Sequence, residues 1–363
     1  MSRDCGRRRY PFATSTLVVT LMLLACSPRP AGNEASGARP PPAAAAPVGG
    51  EAAPAVAPPA APLKARSAYT TVAASVSPWW VAQEGGYFRE QGLDVELVHT
   101  DAGAPLLAAL TNNELDVVSA GGTSLVLGYL QGVETQIIGS TANYLDSSVF
   151  VRPEIQTVED LRGKTIGVTN LKAISDTAAR LAVRRVGLTP DVDVFTRRTG
   201  GLAESMAGIE TGTLDGASLS VPVLFEARKR GHRELLNVAQ MRIPFLIGGV
   251  GTTKKVLAER PELAGAYLRA LAQAVSRMKT DREFAMQAIG KYSRLDDPEV
   301  LGATVDYYRP LWPSDPYPEP ATVQAILDEE ENPAARTTRP EDVVDYRAAD
   351  ELRRSGFLDQ LPK

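Results

Sequence analysis

The chain has 363 residues, a formal charge of −4 and only two cysteines, Cys5 and Cys26. It is long enough to bury an ordinary hydrophobic core. It carries no basic stripe, so a nucleic-acid partner is not expected, and so few cysteines exclude a disulfide framework or a thiolate-built centre.

Residues 1–25 read as a signal peptide. Arg3, Arg7, Arg8 and Arg9 precede an apolar run, Thr14 to Ala25, that is too short to span a bilayer comfortably. Leu23-Leu24-Ala25-Cys26 resembles a bacterial lipobox. That resemblance implies cleavage before Cys26 and a diacylglycerol on its thiol. Ser27 to Ala65 is rich in Pro, Ala and Gly and cannot bury enough to fold, so 26–66 is assigned as a lipid-anchored tether. An exported protein on the periplasmic or cell-surface side of a membrane is expected, anchored at Cys26. Loss of the signal's four arginines and one aspartate takes the charge from −4 to −7.

The folded part opens with Thr70 to Val76, a small-residue run that tolerates a strand. Ser77 then reads as a helix N-cap, with Pro78 at the first helical position and Trp79 to Glu84 completing a short helix. Gly85, Gly86 and Gly92 are stop signals, and Leu93, Val95 and Leu97 alternate with acids as a half-buried strand. This arrangement sets a serine, two tryptophans and a helix start at a strand's carboxyl end, where open α/β sheets bind ligands.

An internal repeat follows. Gly92-Leu93-Asp94-Val95 recurs at Gly187-Leu188, and the turn at Glu114-Leu115-Asp116 recurs at Thr213-Leu214-Asp215. Similar offsets in chain order predict two lobes of the same βαβ wiring. Between them, strands are expected at Asp116–Ala120, Thr135–Ser140, Ser148–Val151 and Lys164–Val168, with helices from Thr123 or Ser124 to Leu130 and over Ser175–Val186. Pro244–Thr252 reads as a strand returning between lobes. The rest is helical, over Leu263–Met278, Glu283–Tyr292, Pro298–Tyr308, Pro320–Glu329 and Ala348–Ser355.

The stretch Pro78 to Leu97 (PWWVAQEGGYFREQGLDVEL) resembles the P-x-x-V-A-x-E-x-G-Y-F-x-x-x-G-L-D-V-E signature of solute-binding proteins of ABC importers for nitrate, sulfonates, taurine and thiamine-pyrimidine precursors. Leu110 to Val117 is similar to that family's A-L-x-x-G-E-L-D-V turn, with Asn113 in place of glycine, and Val158 to Val168 to its DLKGKxIGV strand. The resemblance implies an α/β, two-lobed type II periplasmic-binding-protein fold with a ligand cleft between lobes. The first lobe would comprise 67–145 and 250–363 with its C-terminal helices, the second 146–249. It implies a small-molecule ligand, an ABC permease with its ATPase as partner, a monomer, and no cofactor.

Six loops at strand ends are expected to face that cleft. They nominate Ser77, Trp79, Asp101, Gly121, Gly122, Thr123, Asn170, Ser175, Gly200 and Ser220 as ligand-binding, with Tyr144 on the crossover. Hydroxyls, Asn170 and helix starts supply donors, and helix dipoles favour an anionic end. Helix capping explains several of these residue types equally well. Trp79 and Tyr144 are expected to wall an apolar body, and Lys172 is the nearest cation. A sulfonate, taurine or a pyrimidine-like heterocycle fits such a site better than bare nitrate. No catalytic or metal motif surrounds His99 or His232. The alternatives are an enzyme on the same fold, acting on a pyrimidine-like or small carboxylate substrate, and a ligand sensor that docks on a membrane receptor.

Overall fold

The computed structural model describes residues 61–363. The expected signal peptide, Cys26 and the expected tether up to residue 60 lie outside the described residues.

The first strand is β1 (Leu63–Tyr69), followed by α1 (Ser77–Glu84), α2 (Tyr87–Glu90), β2 (Leu93–His99), α3 (Ala104–Thr111), β3 (Val117–Ala120), α4 (Gly122–Leu130) and β4 (Thr135–Tyr144). The strand therefore precedes the expected Thr70–Val76, which is a loop ending in a 3-10 turn at Ala74–Val76. It also takes in the last residues assigned to the tether. Its signal is faint because the inward positions include Ala65, Ser67 and Ala68, small residues that carry little hydrophobic contrast.

The chain then crosses to a second sheet. β5 (Ser148–Val151), β6 (Lys164–Val168), α5 (Ile174–Arg185), β7 (Val194–Arg198), α6 (Leu202–Glu210), β8 (Gly216–Leu219), α7 (Val223–Lys229), β9 (Arg233–Asn237) and α8 (Val238–Met241) follow in order. β10 (Pro244–Thr253) returns to the first sheet. A helical segment closes the chain, with α9 (Lys254–Glu259), α10 (Glu262–Thr280), α11 (Arg282–Ser293), α12 (Pro298–Tyr308), α13 (Pro320–Glu329), α14 (Pro340–Val343) and α15 (Arg347–Arg354).

The two sheets share one wiring. Their orders are β2-β1-β3-β10-β4 and β7-β6-β8-β5-β9. In each, three parallel strands are followed by an antiparallel strand, β10 in the first sheet and β5 in the second. This is a two-lobed mixed α/β fold with two crossovers. Left-handed Gly92 (φ 75°) and Gly187 (φ 86°) stand at the matching helix-to-strand turns, the conformation in which glycine has no steric cost.

α10 supplies much of the first lobe's core. Its inward stripe, including Leu263, Tyr267, Leu271 and Met278, is buried against α1. Trp79 and Trp80 on α1 are both fully buried. Trp79 packs beside Tyr267, with ring centroids 5.7 Å apart, and Trp80 stacks on Tyr292 at 5.3 Å. The expectation that Trp79 faces the cleft is thus corrected. With β1 placed earlier in the chain, α1 is not the element that begins at the strand's carboxyl end.

Candidate functional site

A cavity of about 410 Å3 lies between the two sheets. The carboxyl ends of the parallel strands of both lobes form it. From the first lobe come Thr70, Thr71, Ala73 and Ser75 after β1, Ala102 after β2, and Gly121, Thr123 and Ser124 after β3. From the second come Thr169 and Lys172 to Ser175 after β6, Leu202 after β7, and Ser218 and Ser220 at the end of β8. Asp146 and Ser147 from the β4–β5 crossover, Ile247 from β10 and Tyr308 from α12 complete the wall.

Four nominated residues therefore line one cavity, namely Gly121, Thr123, Ser175 and Ser220. The other seven do not. Ser77 is buried inside α1, where its hydroxyl donates to the Ala74 carbonyl, and the N-cap is Val76. Gly122 is buried, and a Cβ there would sit 2.8 Å from the Leu246 carbonyl oxygen, so its smallness serves packing. Asp101 and Gly200 are exposed loop residues. Asn170 is exposed and its Oδ1 accepts from Arg198 Nε at 2.6 Å. The Tyr144 ring lies under the Arg242 guanidinium at 4.1 Å. Trp79 is core.

Sequence reasoning missed Asp146, Ser147, Tyr308 and the Thr70–Ser75 loop, whereas Ser218 lies in the Ser218–Val221 loop that it did expect to face the cleft. Asp146-Ser147-Ser148 had a readable signal, a polar break between two apolar strands. Tyr308 had none, because a helix delivers it from 162 residues beyond Asp146.

Three helices begin at the cavity. α4, α5 and α6 have Gly121, Ala173 and Gly201 at their N-caps, and none receives a side-chain cap. Apart from the Ser124 N–H, which donates to the Gly121 carbonyl at 3.0 Å, the first-turn N–H groups have no acceptor within their own helix, so they are available to a ligand, and the dipole favours its anionic end. The Ser175 hydroxyl is spent locally: it accepts from the Thr169 N–H at 3.0 Å and shares a hydrogen bond with Thr169 Oγ1 at 2.8 Å. By contrast, the buried hydroxyls of Ser147 and Ser218 have no hydrogen-bond partner. Buried polar atoms are ordinarily satisfied, so two orphans on one cavity wall mark positions where a ligand atom would complete them.

Asp146 and Lys172 are the charged residues on the wall. The Lys172 ammonium points outward and pairs with Glu331 at 2.7 Å. Asp146 is buried, and the Tyr308 hydroxyl donates to its Oδ2. Burial pushes the Asp146 carboxyl above the usual carboxylate range, against the pull of that hydrogen bond. Apolar contact is supplied by Ile174, Leu202 and Ile247 rather than by Trp79 and Tyr144.

The family model described as NMT1/THI5 like matches residues 73–285. A Bacillus subtilis (strain 168) protein named "Putative aliphatic sulfonates-binding protein" is 26% identical over 234 residues, covering 62% of this chain and 68% of that one. The solved alkanesulfonate-binding protein SsuA from Xanthomonas axonopodis pv. citri, bound to MOPS, superposes with a TM-score of 0.61 at 20% identity, covering 79% of this chain and 99% of that one. The periplasmic nitrate-binding protein NrtA from Synechocystis PCC 6803 superposes with a TM-score of 0.64 at 13% identity, covering 83% and 91%. At these identities the structural likeness establishes the periplasmic-binding-protein fold.

Proposed function

The chain belongs to the NMT1/THI5-like family, and on that premise we propose that it is the solute-binding component of an ABC importer. It captures a small organic ligand between its lobes and delivers it to a permease with its ATPase. The observation that carries this reading is the interlobe cavity, which three uncapped helices and two unpartnered serine hydroxyls face. Such a site holds an anionic or strongly accepting end by neutral donors and an apolar body by Ile174, Leu202 and Ile247. The relative named for aliphatic sulfonates favours a sulfonate within that class. A pyrimidine-like ligand fits less directly, and nitrate would leave the apolar wall unused.

A thermal-shift screen over alkanesulfonates, taurine, nitrate, bicarbonate and pyrimidines tests the reading. A ligand present at one hundred times its Kd stabilises the folded state by about 2.7 kcal/mol, enough to see as a shifted melt. Absence of any shift across the sulfonates would sink the sulfonate assignment.

The same protein is proposed to act as a monomer tethered by a lipid at Cys26, outside the cytoplasmic membrane. The support is the Leu23–Cys26 motif and the Pro/Ala-rich segment after it. In a bacterial host, Cys26→Ser should leave the precursor unprocessed or release the protein from the membrane fraction. A wild-type protein recovered soluble, with a free thiol at Cys26, would refute the anchor.

A further inference from the structure

We propose that a groove beside the two crossovers, separate from the interlobe cavity, is a second binding site that takes a small organic monocarboxylate, with Arg242 as its anion-binding residue. The crossovers run side by side there. The Leu145 N–H donates to the Ile243 carbonyl at 3.3 Å, and Tyr144 pairs with Pro244 in the first sheet. The groove beside them has a volume of about 510 Å3. Arg228 of α7, Gln240 of α8 and Arg242 line one side, and Asp306, Tyr307 and Leu311 of α12 and the turn after it line the other. None of these residues lines the interlobe cavity.

The groove's three charged residues are not equivalent. Arg228 donates from Nε and Nη2 to Glu234 at 2.8 and 2.9 Å. Asp306 accepts from Nε and Nη2 of Arg282 at 3.1 and 2.9 Å. Each of these two therefore has its counter-charge. Arg242 has no carboxylate partner among the described residues, and its guanidinium lies over the Tyr144 ring, 4.1 Å from the centroid. The ring covers a face of the guanidinium and leaves the in-plane N–H donors, whose fork matches the two oxygens of a carboxylate. Arg242 also holds a left-handed backbone, φ 46° and ψ 48°, where glycine or asparagine would sit at less cost. One unneutralised positive charge calls for one negative charge. A dianion such as phosphate would bring a second, uncompensated charge into a groove that Asp306 also lines. Gln240 adds an exposed amide. The Tyr307 hydroxyl is committed to the Asp146 backbone carbonyl at 2.8 Å, so Tyr307 adds ring surface rather than a donor, and Leu311 extends that surface for a short hydrocarbon body.

The test is calorimetric titration of the full chain with butyrate, hexanoate and benzoate, against inorganic phosphate and hexylamine as controls. At least one carboxylate should bind saturably, and more than about tenfold tighter than either control. Arg242→Asn removes the charge and suits the left-handed backbone, and should weaken that binding by more than about tenfold. Ser218→Ala, which alters the interlobe cavity, should leave it within about threefold. Leu311→Glu sets a like charge in the groove and should weaken carboxylate binding as well, which keeps the inference testable if the arginine variant does not fold. Absence of saturable binding for all three carboxylates overturns the inference. So does phosphate or hexylamine binding as tightly as the carboxylates, or unchanged carboxylate binding in Arg242→Asn or Leu311→Glu. A loss in Ser218→Ala as large as that in Arg242→Asn would put the carboxylate in the interlobe cavity and overturn it too.

Discussion

Lys172 and Glu331 meet across the cleft: the ammonium lies 2.7 Å from the carboxylate, one residue in the β6–α5 loop and the other just after α13. α13 packs on β10 and α4 of the first lobe, so the pair joins the two halves of the molecule at the rim of the cavity. Arg184 of α5 and Glu329 of α13 form a second pair along the same seam. Lys172 is thereby engaged away from the ligand. Lys172→Met should change alkanesulfonate affinity by less than about threefold, measured by titration calorimetry. A loss beyond about tenfold would place the ammonium on the ligand instead.

Ser218 is expected to separate stability from binding. Its hydroxyl is buried without a partner in the free protein, a situation that costs about 1–3 kcal/mol. Ser218→Ala should therefore melt at the same temperature as wild type or higher when no ligand is present. The same variant should lose about 0.5–1.5 kcal/mol of ligand binding. A lower apo melting temperature would mean that the hydroxyl already has a partner.

Trp79 should behave as a core residue. Trp79→Ala removes a fully buried indole packed against Phe88 and Tyr267, and should cost about 3–5 kcal/mol in denaturant unfolding. Trp79→Phe should retain wild-type ligand affinity. A selective loss of affinity in that variant, at unchanged stability, would return the ring to the cleft.

Gly121 and Gly122 are neighbours with different constraints. A Cβ on Gly122 would meet the Leu246 carbonyl oxygen and Cβ, both at 2.8 Å. Gly122→Ala should destabilise by about 1–3 kcal/mol, read from the urea midpoint. A Cβ on Gly121 meets nothing nearer than Ile174 Cδ1 at 3.5 Å, and its backbone is extended rather than left-handed. Gly121→Ala should leave stability near wild type. Similar midpoints for the two variants would contradict this packing.

Asp146 also predicts a pH dependence. Burial raises its pKa above the unfolded value of 3.8, so between those two values the folded state binds the extra proton. Its contribution to stability then falls as pH rises through that interval and is at its poorest above the raised pKa. Asp146→Asn removes this dependence, so its stability relative to wild type should improve from pH 4 to pH 7. A gap between the two proteins that stays constant across that range would show the carboxyl to be unshifted.

Most elements were legible because their signals are local. β6 has the span read for it, and α12 and α13 begin at prolines that mark first helical positions. The cavity wall was legible where a strand ends in Gly, Ser or Thr before a helix, as at Gly121, Thr123 and Ser175. It was misread at the signature stretch. Thr70–Val76 has a strand's composition but forms the loop that faces the cavity, and the strand lies in LKARSAY, whose buried positions are mostly small. That displacement moved the expected contacts from Thr70–Ser75 to Ser77 and Trp79. Asp146 and Tyr308 come together only through tertiary packing, which no window of sequence contains.

The exchange of β5 and β10 between sheets also fixes an order of assembly. The second sheet draws all its strands from residues 148–237, an unbroken stretch that can close as soon as it has been synthesised. The first sheet cannot, because β10 at residues 244–253 lies between β3 and β4 and pairs with both. Until it arrives, β3 and β4 each present an open edge, the kind of surface that invites intermolecular pairing. A nascent chain ending before residue 244 would thus hold a finished second half beside an incomplete, aggregation-prone first half.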